Sequence, residues 1–131
     1  MKQLNQYSTN VLNRMVGMMN RWCIKIDNSE GGFLPIFISI NYEDDKSKVF
    51  VMGHYSSVDG DILAEPEMHF LFDICSGIYF SVYYRQDCLD VEQSSARIDE
   101  GEIISVNRLL QAEHTEFANQ WLKNIRLQQN L

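Results

Sequence analysis

Residues 49–90, VFVMGHYSSVDGDILAEPEMHFLFDICSGIYFSVYYRQDCLD, decide the fold. Apolar and polar side chains alternate through much of this run with period two, the pattern of strands that bury one face. Two turn signals divide it. Val58-Asp59-Gly60-Asp61 places Asp-Gly where a tight hairpin needs positive φ, and Cys75-Ser76-Gly77 makes a second short connection. The spacing predicts strands over Lys48–Tyr55, Met68–Asp73 and Ile78–Tyr84, with one more across Asp87–Gln93.

Upstream, Cys23–Ile26 reads as a short strand and residues 27–32 as a loop. Phe33–Ile40 resumes the β pattern, with Pro35 marking a strand start or an edge. Before these, Leu4, Tyr7, Val11, Leu12, Met15, Met18, Met19 and Trp22 recur at three- and four-residue spacing, predicting an amphipathic helix. Its methionines suit core packing, or a plastic binding groove. Downstream, Asp99–Glu102 is a polar break. Ser105 is the candidate cap of a final helix carrying Leu109, Leu110, Phe117, Trp121, Leu122 and Ile125 at helical spacing. Lys123 and Arg126 fall in its last turns, where cations suit the helix dipole. Strands joined by short turns pair antiparallel, and helices at the two ends pack most simply on one face. The expected fold is therefore a single α+β domain over residues 1–131, with an antiparallel sheet of about five strands and N- and C-terminal helices packed on one face.

A chain of 131 residues with 45% apolar side chains can bury a core without covalent staples. Cys23, Cys75 and Cys88 are odd in number, distant, and form no CxxC pair, which speaks against a disulfide framework or a zinc site. Free and mostly buried thiols in a reducing cytoplasm are expected. The first fifteen residues, MKQLNQYSTNVLNRM, contain no apolar run of signal-peptide type, and no stretch of about 18 apolar residues occurs. A cytoplasmic location with no membrane partner is therefore expected.

Charge is distributed unevenly. Residues 43–102 hold fourteen acidic and four basic side chains, whereas the flanking segments are slightly basic and the whole chain carries −7. Such a segment repels nucleic acid and favours cations or basic protein surfaces. Acidic loops also simply keep small domains dispersed.

The chemistry-bearing residues gather in the same region. His54, Asp59, Asp61, Glu65, Glu67 and His69 are oxygen- and imidazole-rich, as a divalent-cation site requires. His54, Asp61 and Glu67 form the sharpest metal-ligand set, although no calcium-loop or HExxH pattern accompanies them. The competing reading makes Asp59 and Asp61 turn residues and His54 an ordinary strand residue. Glu65 and Glu67 flank Pro66 and would project to the same side of an extended chain. Arg85-Gln86-Asp87 follows an aromatic run, where an Arg–Asp pair either fixes a strand end or meets a ligand. Asp87 and Asp90 beside Cys88 disfavour its thiolate. No nucleophile elbow, phosphate loop or dinucleotide fingerprint is present. Aromatic strands without interleaved basic residues argue against direct nucleic-acid binding.

Three segments carry a family resemblance. HYSSVDGDILAEPEM (54–68) resembles the pattern HYYxQNGDxxxDPEM, YRQDCLDVEQ (84–93) is similar to YQQDxLGxYQ, and EFANQWLKNIRLQQ (116–129) resembles FAxxWDRNIRxQG. All three patterns belong to an uncharacterised bacterial family, a small domain of unknown function, and the likeness spans roughly residues 50–131. The resemblance points to His54, Tyr55, Asp59, Gly60, Asp61, Pro66, Glu67, Met68, Gln86, Asp87, Trp121, Asn124 and Arg126. It implies a setting on plasmids and other mobile elements near antirestriction genes. Ser56, Ser57 and Val58 depart from the family's more polar loop, Asp90 stands where it has Gly, and Leu122 replaces an acidic residue.

Together these features favour a small, non-enzymatic, cofactor-free protein-binding module. Glu43, Asp44, Asp45, Asp59, Asp61, Glu65, Glu67 and Asp87 would meet a basic partner, namely a nuclease or nucleic-acid-targeting defence complex that the domain inhibits. Two alternatives stand beside it: an immunity protein for a toxin, and a metal-dependent enzyme using His54, Asp61 and Glu67. Exposed strand edges also allow a homodimer.

Overall fold

A computed structural model describes residues 1–131. Helix α1 (Gln6–Met18) is followed by β1 (Cys23–Ile26), β2 (Ile36–Glu43), β3 (Ser47–Val58), β4 (Asp61–Asp73), β5 (Ile78–Gln86) and β6 (Val91–Ser94). A separate hairpin of β7 (Ala96–Asp99) and β8 (Glu102–Val106) leads into α2 (Arg108–Gln128). Strands β1 to β6 form one antiparallel meander in sequence order, and β7 and β8 form a two-stranded sheet of their own. The α+β class holds, with more strands than the five expected.

The sheet is buried on both faces, to different extents. On the inner face Ile36, Ile38, Phe50, Met52, Met68, Phe70 and Tyr79 meet Val11, Leu12 and Met15 of α1 and Ala118, Trp121, Leu122 and Ile125 of α2 in one core. Removing a side chain such as Leu12 or Phe70 from water stabilises the fold by roughly 1.5–3 kcal/mol. On the outer face a smaller cluster joins Val49, Leu71 and Val82 of the sheet to Ala96 of the β7–β8 hairpin. Paired strands keep side chains of opposed residues on one side, so Val49 with Leu71 and Val51 with His69 define the outer face of β3 and β4.

Both helices begin at an asparagine. The Asn5 side chain accepts the Ser8 amide (2.8 Å), and Asn107 Oδ1 accepts the Leu110 amide (3.1 Å). Ser105, expected to cap α2, belongs to β8 instead. Helix α1 stops at Met18, because Asn20 Oδ1 accepts the amides of Trp22 and Cys23 and turns the chain into β1. Trp22 therefore leaves the helical face and is 56% exposed. The buried stripe of α2 is more polar than its leucines suggested: Gln111, His114 and Thr115 join Ala118, Trp121, Leu122 and Ile125, whereas Leu109 is 75% exposed.

The expected polar break at Asp99–Glu102 is the tip of the β7–β8 hairpin. Glu100 and Gly101 both take positive φ, 48° and 78°, as a tight two-residue turn requires. The thiols correct another expectation: Cys23, Cys75 and Cys88 are free but exposed, on the edge strand β1, in the β4–β5 turn and in the 3-10 turn Asp87–Leu89 before β6. No helix is long and apolar enough to cross a membrane.

Candidate functional site on the outer face of the sheet

Glu67 and His69, two residues apart on β4, project from the same face. Glu67 Oε2 lies 3.0 Å from His69 Nε2, and Glu67 Oε1 accepts the Tyr55 hydroxyl at 2.7 Å. Gly53, cross-strand from Glu67, makes this possible. A Cβ there would stand 2.8 Å from the Tyr55 ring and 2.9 Å from the Pro66 carbonyl oxygen, so only glycine lets the tyrosine lie back toward the carboxylate. The His69 ring stacks on Tyr83, with centroids 4.1 Å apart and 24° between the planes. Tyr83 reaches His69 through a β-bulge: His69 pairs with Tyr83 while Phe70 pairs with Ser81, leaving Val82 as the extra residue. The Tyr83 hydroxyl donates to Glu92 on β6 (2.8 Å).

Electrostatics follow this geometry. The hydrogen bond from His69, helped by that from Tyr55, holds the Glu67 carboxyl below its usual range against the opposing effect of burial. Burial first, and the Glu67 carboxylate second, push the Tyr55 hydroxyl up. Burial and Glu92 push Tyr83 up to about 12. Glu67 is therefore an anion at neutral pH that accepts two donors, the Tyr55 hydroxyl and the His69 Nε2–H.

Arg85, cross-strand from Glu67, forks onto Asp87 through Nε (2.7 Å) and Nη2 (3.1 Å). Asp87 Oδ2 also accepts the amide of Ala64 (2.7 Å), tying the end of β5 to β4. This is the strand-end role among the two readings of the Arg85–Asp87 pair.

The metal trio does not assemble. Gly53 opposes Glu67, so the next residue along, His54, points to the inner face. There its Nδ1 bonds the Pro35 carbonyl (3.0 Å) and its ring meets Trp121 edge-on at 5.8 Å. Burial lowers its pKa. Asp61 is exposed beside the β3–β4 turn. No group of three His, Cys, Asp or Glu side chains is placed to hold a metal ion.

Nor do the eight acidic candidates form one surface. Glu43, Asp44 and Asp45 lie at the β2–β3 turn, while Asp59 and Asp61 lie at the β3–β4 turn. The twelve residues of β3 separate the two turns, roughly 35–40 Å. Three of the eight also have internal duties. Glu67 and Asp87 are engaged as described, and Asp44 accepts the amides of Lys46 and Ser47 and the Tyr42 hydroxyl (2.5 Å). Asp59 occupies the left-handed region of its turn (φ 51°), Glu65 precedes the cis Pro66 bond and is half-buried, and Glu43 is 3.7 Å from Lys48.

Folding adds acidic residues that the linear pattern did not single out. The Tyr42 hydroxyl, hydrogen-bonded to Asp44, also lies 2.9 Å from the Glu100 carbonyl oxygen, and Ser47 Oγ donates to the Gly101 carbonyl (3.3 Å). These bonds seat the β7–β8 tip on the β2–β3 turn, so Asp99, Glu100 and Glu102 join Glu43, Asp44 and Asp45 at one end of the sheet. Asp44, Glu100 and Glu102 together contribute to raising Tyr42 to about 12, with the Asp44 hydrogen bond the largest cause. The Glu100-Gly101 pair between Ile98 and Ile103 was the available turn signal.

A cleft of about 580 Å³ opens between the outer face and this hairpin, bordered by His69, Tyr83, Ser94 and Arg97 among others. A second hollow of about 540 Å³, mostly apolar, lies toward the β1 edge and includes Phe37, Val51, Tyr55 and Ile62.

The three segments with family likeness meet in space. Asp87 binds the Ala64 amide, Trp121 meets His54, and Phe117 packs edge-on against Tyr84 at 4.9 Å. Arg126 lies over the Tyr7 ring and its Nη1 donates to the Tyr7 hydroxyl (2.8 Å), joining the two helices. No curated protein and no solved structure matches the chain. A family model matches residues 6–131, nearly the whole chain, and the protein belongs to that family, described as Domain of unknown function (DUF6908).

Proposed function

We propose that this domain is a non-enzymatic binding module that engages a basic protein surface through the acidic end of its sheet. The observation that carries the reading is the seating of the β7–β8 tip on the β2–β3 turn, which gathers Glu43, Asp44, Asp45, Asp99, Glu100 and Glu102. Lys46, Lys48 and Arg97 only partly offset them. Tyr42 and the Asp44 turn hold the backbone of this end in place, so little ordering entropy remains to be lost on binding. A rigid array of carboxylates suits a partner whose own site is built for phosphates: a nuclease or nucleic-acid-targeting defence complex, which the domain would inhibit by occupying that site. The mobile-element setting implied by the sequence resemblance suits such a role. The same end would serve an immunity protein against a basic toxin, and the identity of the partner separates the two.

The reading is tested by recovering partners from bacterial lysate at low and high salt, using the wild type and a Glu43→Gln, Asp45→Asn, Asp99→Asn, Glu102→Gln variant. A nuclease or toxin held by the wild type and released by the variant supports it. Equal retention by both proteins removes it.

A further inference from the structure

We propose that the cleft between the outer face of the sheet and the β7–β8 hairpin is a small-molecule site for an aromatic acid carrying a hydroxyl group, with His69 receiving the hydroxyl and Arg97 the acid. This site borders the acidic end, sharing Tyr42, Glu100 and Gly101 with it, and does not depend on a protein partner. At about 580 Å³ the cleft falls within the size range of small-ligand sites. The nearly buried Val49, Val82 and Ala96 and the half-buried Ile98 line the cleft on its apolar side.

The polar groups are few and differ in kind. His69 is fixed by the Glu67 contact on one side and by its stack on Tyr83. Since Nε2 donates to the Glu67 carboxylate, Nδ1 is the ring nitrogen left over, and no protein group meets it. A ligand hydroxyl pairs with that nitrogen. Arg97, at the border of the cleft, forms no ion pair within the chain despite its acidic neighbours Asp99 and Glu100. Its guanidinium is free to fork onto a carboxylate. Glu100 also borders the cleft, so a planar anion seats its acid group at the unpaired Arg97, its ring on the apolar lining and its hydroxyl at His69.

The test is a titration of isotope-labelled full-length protein followed by NMR, with 4-hydroxybenzoate, benzoate and 4-hydroxybenzamide as three separate probes. The expected result is saturable shifts at His69, Tyr83, Ser94 and Arg97 with 4-hydroxybenzoate, and weaker binding of both other compounds. Arg97→Met should weaken 4-hydroxybenzoate about tenfold, the loss of one charge-assisted contact, and leave the already weaker 4-hydroxybenzamide unchanged. His69→Gln should remove the preference for 4-hydroxybenzoate over benzoate. Both substituted positions lie outside the main inner core, and retention of the wild-type spectrum elsewhere certifies the fold. Linear, non-saturating shifts with 4-hydroxybenzoate, or equal affinity for it in wild type and Arg97→Met, overturn the proposal.

Discussion

The Tyr55 hydroxyl donates to Glu67 at 2.7 Å across a glycine, Gly53, whose missing side chain is the space the tyrosine ring uses. This contact fixes the carboxylate that in turn orients His69. A double-mutant cycle measures the arrangement. Tyr55→Phe should cost about 1 kcal/mol in urea unfolding, and Tyr55→Phe combined with Glu67→Gln should cost less than the sum of the single changes. Additive costs would mean that the two side chains do not share their energy.

Asp87 can be examined separately, because its acceptor role and its charge are separable. Asp87→Ala should accelerate hydrogen exchange at the Ala64 amide about tenfold or more, whereas Asp87→Asn keeps a carbonyl oxygen for that amide and should retain most of its protection. Unchanged exchange in Asp87→Ala would show that the amide is protected by other means.

Stability should fall with mild acid. Burial lowers the folded-state pKa of His54 and of His114 below the ordinary value near 6.5. The unfolded chain therefore takes up protons first, and the stabilisation by the neutral rings is present above pH about 6.5 and is lost as pH falls toward the folded pKa. Thermal unfolding between pH 7 and 5 should show this decline, and His54→Gln with His114→Gln should flatten it. A slope unchanged in the double variant would assign the decline to other groups.

Gly101 tests the seat of the acidic hairpin. Its φ of 78° and the 2.9 Å approach of a would-be Cβ to the Tyr42 ring both oppose a side chain. Gly101→Ala should destabilise the protein by about 1–2 kcal/mol and loosen the hairpin tip first, read as faster exchange at residues 99–102. Wild-type stability in Gly101→Ala would contradict the close packing of tip and turn.

The inner layer was legible in the sequence because its periodicities are clean. Phe50, Met52, Met68 and Phe70 alternate with outer residues, and Leu12, Met15, Trp121 and Leu122 recur at helical spacing. The β7–β8 hairpin was not, because its charged Arg97, Asp99, Glu100 and Glu102 resemble a solvated break, and its apolar Ala96 and Ile98 pack against the distant Val49, Leu71 and Val82. Glu67 and His69 share a face by spacing alone. Their partners Tyr55 and Tyr83 depend on register irregularities between Gly53 and Tyr55 and at Val82, which no local pattern specifies. The same parity separates His54 from Glu67, since a residue next to Gly53 cannot share the face of Gly53's cross-strand partner.

The most direct measurement of the acidic-end proposal is the salt dependence of affinity for the recovered partner, compared between wild type and the variant neutralised at Glu43, Asp45, Asp99 and Glu102. Wild-type binding should weaken steeply with salt, and the variant, with unchanged circular dichroism, should bind at least about tenfold more weakly with a shallower slope. Equal affinity and equal slope would contradict the assignment of this end as the binding surface.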